Sequence, residues 1–398
     1  MRLLEYQAKR LLSRFGVTFS PSVVATSASE AEIAAASMNC PVVLKAQVPF
    51  GGRGKMGAVL VAAGPRESRN AAARLFSMEL RGYAVRSVSV QPKVDFTREY
   101  YAGIAWDVGA RLPVAVLSTA GGVDVEHARE KEVARATFDP FLGFRAFQGR
   151  DMARRLGMTG RVMANAGALL QKLATAFLQL NGVTIEINPL VETGDGSLIG
   201  LDAHVEIDDD ATYRLQEFLE PLGAIDTFSG GRPPTELEKQ AQRIDAMDHR
   251  GVAGRVVEFD GDLALLIGGG GASLTVFDAI RRYGGRPANY CEVGGNPTVE
   301  KVSALVELLL SKPGVKKLAV IMNVVNNTRA DVMARGTIEG VKRAGLVPKQ
   351  AICVFRIPGS WEPEAREILS EAGVEGLGRE VSLDAAAKLA VERSANAP

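Results

Sequence analysis

The chain has 398 residues, 46% hydrophobic and 23% charged, and its 47 basic residues nearly cancel 46 acidic ones to leave a formal charge of +1. At about 100 to 200 residues per domain, this length fits two or three compact domains and excludes a peptide, a toxin or a coiled-coil rod. Basic and acidic residues are interspersed, whereas a nucleic-acid binder gathers a basic excess on one face, and no window nears the roughly 18 uninterrupted apolar residues of a membrane helix.

Neither nucleic acid nor a membrane is therefore an expected partner. The start Met1-Arg2-Leu3-Leu4-Glu5 has no signal-peptide hydrophobic core, so a cytoplasmic location is expected. Cys40, Cys291 and Cys353 are far apart and form no CxxC pair, which suggests reduced thiols rather than a disulfide framework or a zinc site. His127, His204 and His249 are the only histidines, and none has metal-ligand spacing.

Taken in chain order, Ser27-Ala-Ser-Glu30 reads as a capping box for an Ala-rich helix. Short, β-branched runs at 41–46, 88–91, 100–106, 113–118, 183–188 and 198–205 read as strands, and 161–180 carries apolar residues at helical spacing. These strands are spaced too irregularly for a simple βαβ series. The stretch 221–234, PLGAIDTFSGGRPP, reads as a linker. Beyond it, strands near Leu263, Ala288, Leu318 and Ile352 alternate with helices at 274–283, 299–310, 332–344 and 362–372, the pattern of a doubly wound, flavodoxin-like or Rossmann-like domain. The expected fold class is α/β, with domains at 1–240 and 241–398.

Four segments have residue types suited to chemistry. In KAQVPFGGRGKMG, a strand lysine, Lys45, precedes a loop in which Gly51, Gly52 and Gly54 let backbone N–H groups approach an anion beside Arg53 and Lys55. A basic surface hairpin has the same composition, and the GxxxxGK[ST] pattern is absent. Glu186-Ile-Asn-Pro-Leu190 and the later Asp202 offer a carboxylate and an amide oxygen, Asn188, at the ends of neighbouring strands, a donor set that suits Mg²⁺ shared with nucleotide phosphates. Turn capping is the alternative reading for that pair.

Gly268-Gly-Gly-Gly-Ala-Ser273 joins a strand to a helix and can present N–H groups to an anion. As a dinucleotide fingerprint it fails, because serine or leucine falls at the third glycine. Asn326-Asn327-Thr328-Arg329 occupies a second such turn, and Arg356 ends the next strand. Together they read as a carboxylate receptor, with helix capping as the plainer account of the amides.

The motifs MRLLEYQAKRLLSRFGV, KAQVPFGGRGKMG, STAGGVDVE, EINPL with the later LD, and GGRPANYCEVGG occur in an order that resembles the nucleotide-binding β subunit of succinate-CoA ligase. The resemblance runs from residue 1 to about 392 and is weakest over 206–260. It implies an ATP-grasp domain followed by a flavodoxin-like CoA-ligase domain. It further implies that Lys45, Gly52, Arg53 and Gly54 hold nucleotide phosphates, that Gln91, Val94 and Glu99 frame the nucleoside of ATP or GTP, and that Asn188 and Asp202 bind Mg²⁺. Glu186 resembles the acid that orients a histidine during phosphoryl transfer. In that family the phosphorylated histidine and most of the CoA site belong to a partner α subunit, which accords with the scarcity of histidine here.

Two departures stand out. Gln91 is where the family has a glutamate, a change that keeps an acceptor and loses a charge. Gly268 replaces an asparagine and Asn326-Asn327-Thr328 replaces a Gly-Ile-Val or Gly-Ile-Thr turn, in a manner similar to ATP-citrate lyase and citryl-CoA synthetase. Gly268, Asn326, Asn327, Thr328 and Arg356 are therefore the expected contacts of the small carboxylic acid, be it succinate, malate or citrate. A nucleotide-binding regulatory protein and a self-contained ATP-grasp ligase are the competing classes.

Overall fold

A computed structural model describes residues 1–122, 129–223, 232–251 and 256–395. The chain divides into two compact units, Met1–Pro233 and Pro234–Pro398. His127 and the second half of STAGGVDVE, and most of the expected linker, lie outside the described residues.

Besides a two-stranded ribbon, Glu79–Leu80 with Tyr83–Ala84, the described residues of the first unit contain two larger antiparallel sheets. One has four strands in the order Val23–Ala25, Val88–Pro92, Val42–Ala46, Val59–Ala62. Helices Ala28–Met38 and Pro65–Phe76 supply Ala31, Ala34, Ala35, Ala72 and Leu75 to its core. The Ser27 hydroxyl accepts the Glu30 N–H as expected, but Glu30 closes the turn on the Thr26 N–H rather than on that of Ser27.

The other sheet centres on the strand Gly182–Glu192, which pairs with Arg98–Asp107 on one side and with both Leu198–Gly200 and Ala203–Ile207 on the other. Leu112–Ser118 and Val133–Thr137 extend it. The single strand expected at 198–205 is thus two, interrupted at Leu201-Asp202 opposite Asn188-Pro189, where proline lacks the N–H that a continuous ladder needs. Helices Ala146–Arg155 and Gly160–Gln179 cover this sheet, and the N-terminal helix Glu5–Ser13 buries Ala8, Leu11 and Leu12 in the same core.

The second unit is a parallel sheet in the order Leu263–Gly268, Lys317–Met322, Ile352–Arg356, Gly376–Leu377. Parallel bridges from Leu263 to Pro287 and from Ile267 to Glu292 put the Ala288 segment on the free side of the first strand, completing the 2-1-3-4-5 flavodoxin order. Helices Val299–Leu310, Ala330–Arg343 and Glu362–Glu371 share one core, and Gly271–Arg282 packs with Leu383–Ala395 in another. The central strands alternate between them: Leu266 and Val320 join the first core, Leu265 and Ile321 the second. A strand buried on both faces needs such a continuous apolar run. No described helix is long and apolar enough to cross a membrane.

Candidate active site

In the first unit a cleft of about 1090 Å³ is lined by residues of both sheets, among them Lys45, Gly52, Arg53, Gly54, Gln91, Glu99, Glu186, Asn188 and Asp202. Alternation along each strand explains the convergence. Lys45 and Gln91 lie on neighbouring antiparallel strands, and Glu186 and Asn188 alternate with the fully buried Ile185 and Ile187. Val94, grouped with these residues by resemblance, follows the strand Val88–Pro92 and is not part of the lining.

Two cations of the cleft, Arg53 and Lys45, are held by carboxylates. The Arg53 guanidinium donates to Asp202 Oδ2 at 2.5 Å and to the Ala46 carbonyl at 3.0 Å, and it lies 2.8 Å from Glu5 Oε2. Burial opposes its charge, but Asp202 and Glu5 outweigh that and raise its pKa further. The Lys45 ammonium donates to the Leu201 carbonyl at 2.7 Å and to Glu5 at 3.3 Å, and it stands 3.8 Å from Asp202. Burial alone would raise the pKa of Glu5, yet Lys45, Arg53 and Lys9 hold it well below the ordinary carboxylate range.

Across the cleft, the Tyr101 hydroxyl donates to Glu186 at 2.9 Å, and burial together with that carboxylate pushes the phenol well above its usual range. Asn188 exchanges two hydrogen bonds with the Gly122 backbone, at 2.6 and 3.0 Å, so its amide orientation is fixed. His204, on the strand beside Glu186, also lines the cleft.

The donor set fits magnesium. No cluster of three or more His, Cys, Asp or Glu side chains able to hold a metal occurs among the described residues. One carboxylate and one amide oxygen are what Mg²⁺ takes from a protein when phosphates and waters complete its shell. Asp202 Oδ2 is here paired with the Arg53 guanidinium.

In the second unit Gly268 ends the first parallel strand and Gly270 (φ 60°) begins the turn into the helix Gly271–Arg282. A Cβ at Gly268 would clash with the Val293 carbonyl and come within 3.0 Å of Met322 Cε, so asparagine does not fit there as the backbone stands. The turn already faces a carboxylate: Glu292 accepts the Gly270 N–H at 2.7 Å and the Tyr290 hydroxyl at 3.0 Å. Glu292 lies inside the quoted GGRPANYCEVGG run, but nothing local in the sequence marks it.

Asn326 and Asn327 are exposed and Thr328 is buried, its hydroxyl receiving the Asn296 N–H at 3.4 Å. The buried Arg356 donates to the Met322 carbonyl at 2.5 Å and to the Val381 carbonyl at 2.7 Å, so backbone oxygens supply the partner that its burial demanded. Burial lowers its pKa, and Glu380 and Glu362 partly offset this. Nearby, the Arg329 guanidinium pairs with Asp331 and lies 4.0 Å over the Trp361 ring, whose backbone is left-handed (φ 62°).

The ATP-grasp domain family matches residues 2–192, and the ATP citrate lyase citrate-binding family matches residues 232–354. The ADP-forming succinate–CoA ligase β subunit of Rubrobacter xylanophilus is 35% identical over 398 residues, covering 98% of each chain. The GDP-forming β subunit of Thermus thermophilus is 35% identical over 93% of each. Among solved structures, ATP citrate lyase from Methanothrix soehngenii, in complex with citrate and coenzyme A, superposes with a TM-score of 0.78 at 21% identity, covering 98% of this chain and 99% of that one. Near-complete coverage by these relatives shows that the chain belongs to the family of succinate–CoA ligase β subunits, with an ATP-grasp domain followed by a Rossmann-like, flavodoxin-ordered domain.

Proposed function

We propose that this chain is the β subunit of a nucleotide-dependent acid–thiol ligase of the succinyl-CoA synthetase type, using MgATP to join a small carboxylic acid to CoA. The observation that carries this reading is the convergence of Lys45 and Arg53 with Glu186, Asn188 and Asp202 on one cleft, in a chain similar end to end to such subunits.

A carboxylate is a poor electrophile, so its oxygen must first be phosphorylated. In the proposed sequence the γ-phosphoryl group passes from the nucleotide to a histidine of a partner α subunit, releasing ADP, and then to the acid, giving an acyl phosphate. The CoA thiolate, held mainly by the α subunit, attacks the carbonyl carbon; the C–S bond forms, the C–O bond breaks and phosphate leaves. Lys45 and the Gly52-Arg53-Gly54 turn bind the nucleotide phosphates, and Gln91 and Glu99, with Val94 between them in the chain, frame the nucleoside. Asn188 and Asp202 would hold Mg²⁺, which would supply positive charge beside the nucleotide phosphates. Glu186, kept in place by Tyr101, orients the incoming histidine by accepting a hydrogen bond from its ring N–H.

Gly268, Asn326, Asn327, Thr328 and Arg356 are assigned to the acid. The match of residues 232–354 to a citrate-binding family favours citrate as the second candidate beside succinate, and malate is the third. The test is a product screen: the chain co-purified with an α subunit, given MgATP, CoA and one acid at a time, with thioesters identified by mass. A single dominant thioester fixes reaction and acid together. Nucleotide binding with no thioester from any acid would instead support a regulatory protein, and turnover without the α subunit would support a self-contained ligase.

A further inference from the structure

The helix Glu5–Ser13 has no part in the chemistry above, yet Glu5 lines the cleft and Lys9 bonds to Gln91, which also lines it. Glu5 and Lys9 are 3% and 4% exposed. The Glu5 carboxylate meets Lys9 at 2.6 Å, Arg53 at 2.8 Å, Lys45 at 3.3 Å and the Gln47 amide at 3.4 Å. Lys9 donates in turn to Gln91 Oε1 at 2.7 Å.

Arg53 and Lys45, both 6% exposed, thus share two counter-ions from outside their own strand and loop, Asp202 and the more deeply buried Glu5. Within the loop the Met56 and Ala58 N–H groups bond to the Arg53 carbonyl, which fixes its main chain but not its guanidinium. Gly51 and Gly52 are exposed, Gly52 is left-handed (φ 75°), and a Cβ built on either meets nothing within 4 Å. What fixes the guanidinium is its set of bonds to Glu5, Asp202 and the Ala46 carbonyl.

We infer that Glu5 is a positioning residue for nucleotide binding, holding Lys45 and Arg53 where the phosphates meet them. This rests on the assignment of the cleft to a nucleotide. Two effects of removing the carboxylate oppose each other. Taking a negative charge out of an anion site favours phosphate. It also leaves Lys9, Lys45 and Arg53 crowded and desolvated with Asp202 as the remaining carboxylate among the contacts described above, so that the cations escape burial by moving toward water. A phosphate would then have to reorder them, and for side chains this deeply buried the second effect is the larger.

The experiment uses the assembled enzyme with its α subunit. For Glu5→Gln the KM for nucleotide rises at least tenfold, while the KM values for acid and CoA stay within twofold and kcat at saturating nucleotide changes less than the nucleotide KM. Glu5→Asp recovers part of the loss. The charge-balanced pair Glu5→Gln with Lys9→Gln keeps the net charge of the site and still binds nucleotide weakly; this pair and Glu5→Asp carry the test if Glu5→Gln does not fold. Unchanged or tighter nucleotide binding in Glu5→Gln, full recovery in the charge-balanced pair, or equal rises in all three KM values would overturn the inference. A wild-type enzyme that binds no Mg-nucleotide would overturn the functional reading itself, and a calorimetric titration of the wild type identifies that case before any variant is made.

Discussion

Replacing Asp202 by asparagine keeps the shape of the side chain and removes its charge, and the geometry predicts effects of opposite sign with and without metal. Asp202 Oδ2 accepts from Arg53 at 2.5 Å and lies 3.8 Å from Lys45. At an effective dielectric near 20, a unit pair at that separation is worth about 4 kcal/mol before desolvation is counted. Glu5 remains beside both cations, so the net loss of stability is nearer that of one charge-assisted hydrogen bond, about 1.5 to 3 kcal/mol. The metal effect is larger, because a neutral amide replaces the only carboxylate proposed to bind Mg²⁺. We expect the Mg²⁺-dependent gain in ATP affinity to fall by about a hundredfold, since changes even one shell further out cost about 10- to 100-fold. Metal-free ATP should bind Asp202→Asn at least as well as wild type, because Glu5 still holds Arg53 and Lys45 in place while a negative charge that competes with the phosphates for Arg53 is gone. Calorimetric titrations of ATP with and without Mg²⁺ separate the two terms. An undiminished Mg²⁺-dependent gain in the variant would refute the metal assignment, and weaker metal-free binding would refute the competition for Arg53.

In the second unit, Gly268→Ala should cost about 1 to 3 kcal/mol, as overpacking does, and lower the melting midpoint by several degrees in a thermal scan; an unchanged midpoint would mean that the Val293 carbonyl moves freely. Arg356→Ala should raise the KM of the acid and leave the nucleotide KM alone, and an effect on nucleotide only would exclude Arg356 from the acid site. Tyr100 donates to Glu192 at 2.6 Å, and burial with that carboxylate pushes its phenol up to about 12. A raised pKa means that the folded state holds the proton more tightly, so this contribution to stability is complete below pH 10 and is lost as pH rises from 10 to 12. Ultraviolet titration of wild type against Tyr100→Phe should place the missing phenolate transition near the upper end of that window; a transition at the ordinary tyrosine value would contradict it.

The parallel sheet was legible because strands buried on both faces leave continuous apolar runs, as in Leu263–Gly268, bracketed by glycine turns. The helix Leu383–Ala395 was not, because its buried residues are Ala386, Ala387 and Ala390, which mark a helical stripe too weakly to read. Val59–Ala62 escaped notice for a related reason: Val61 is exposed, and four residues with one clear inward side chain are short of a pattern. At the cleft, Lys45 and the glycine loop announced themselves by local composition. Glu5 did not, since its partners in the strand and loop, Lys45 and Arg53, stand forty or more residues away. The available sign was a pair of opposite charges at i and i+4 on the same stripe as Ala8 and Leu12, where a surface ion pair would not lie. Glu292 had no comparable sign, because what distinguishes it is a turn contributed by another segment.

The strand Gly182–Glu192 reads the core and the cleft from alternate residues. Ile185 and Ile187 face inward, and Glu186 and Asn188 face the cleft. A slip of one residue against Arg98–Asp107 would exchange the two sets, driving a carboxylate and an amide into hydrocarbon and two isoleucines into the cleft. Each buried, unpaired polar group costs on the order of 1 to 3 kcal/mol, and more if charged. A register isomer would therefore fail as a folded protein before it could fail as a catalyst. Assembly of the site is proofread by the stability of the core, and a cell that clears unstable chains discards the mis-registered ones without any test of activity.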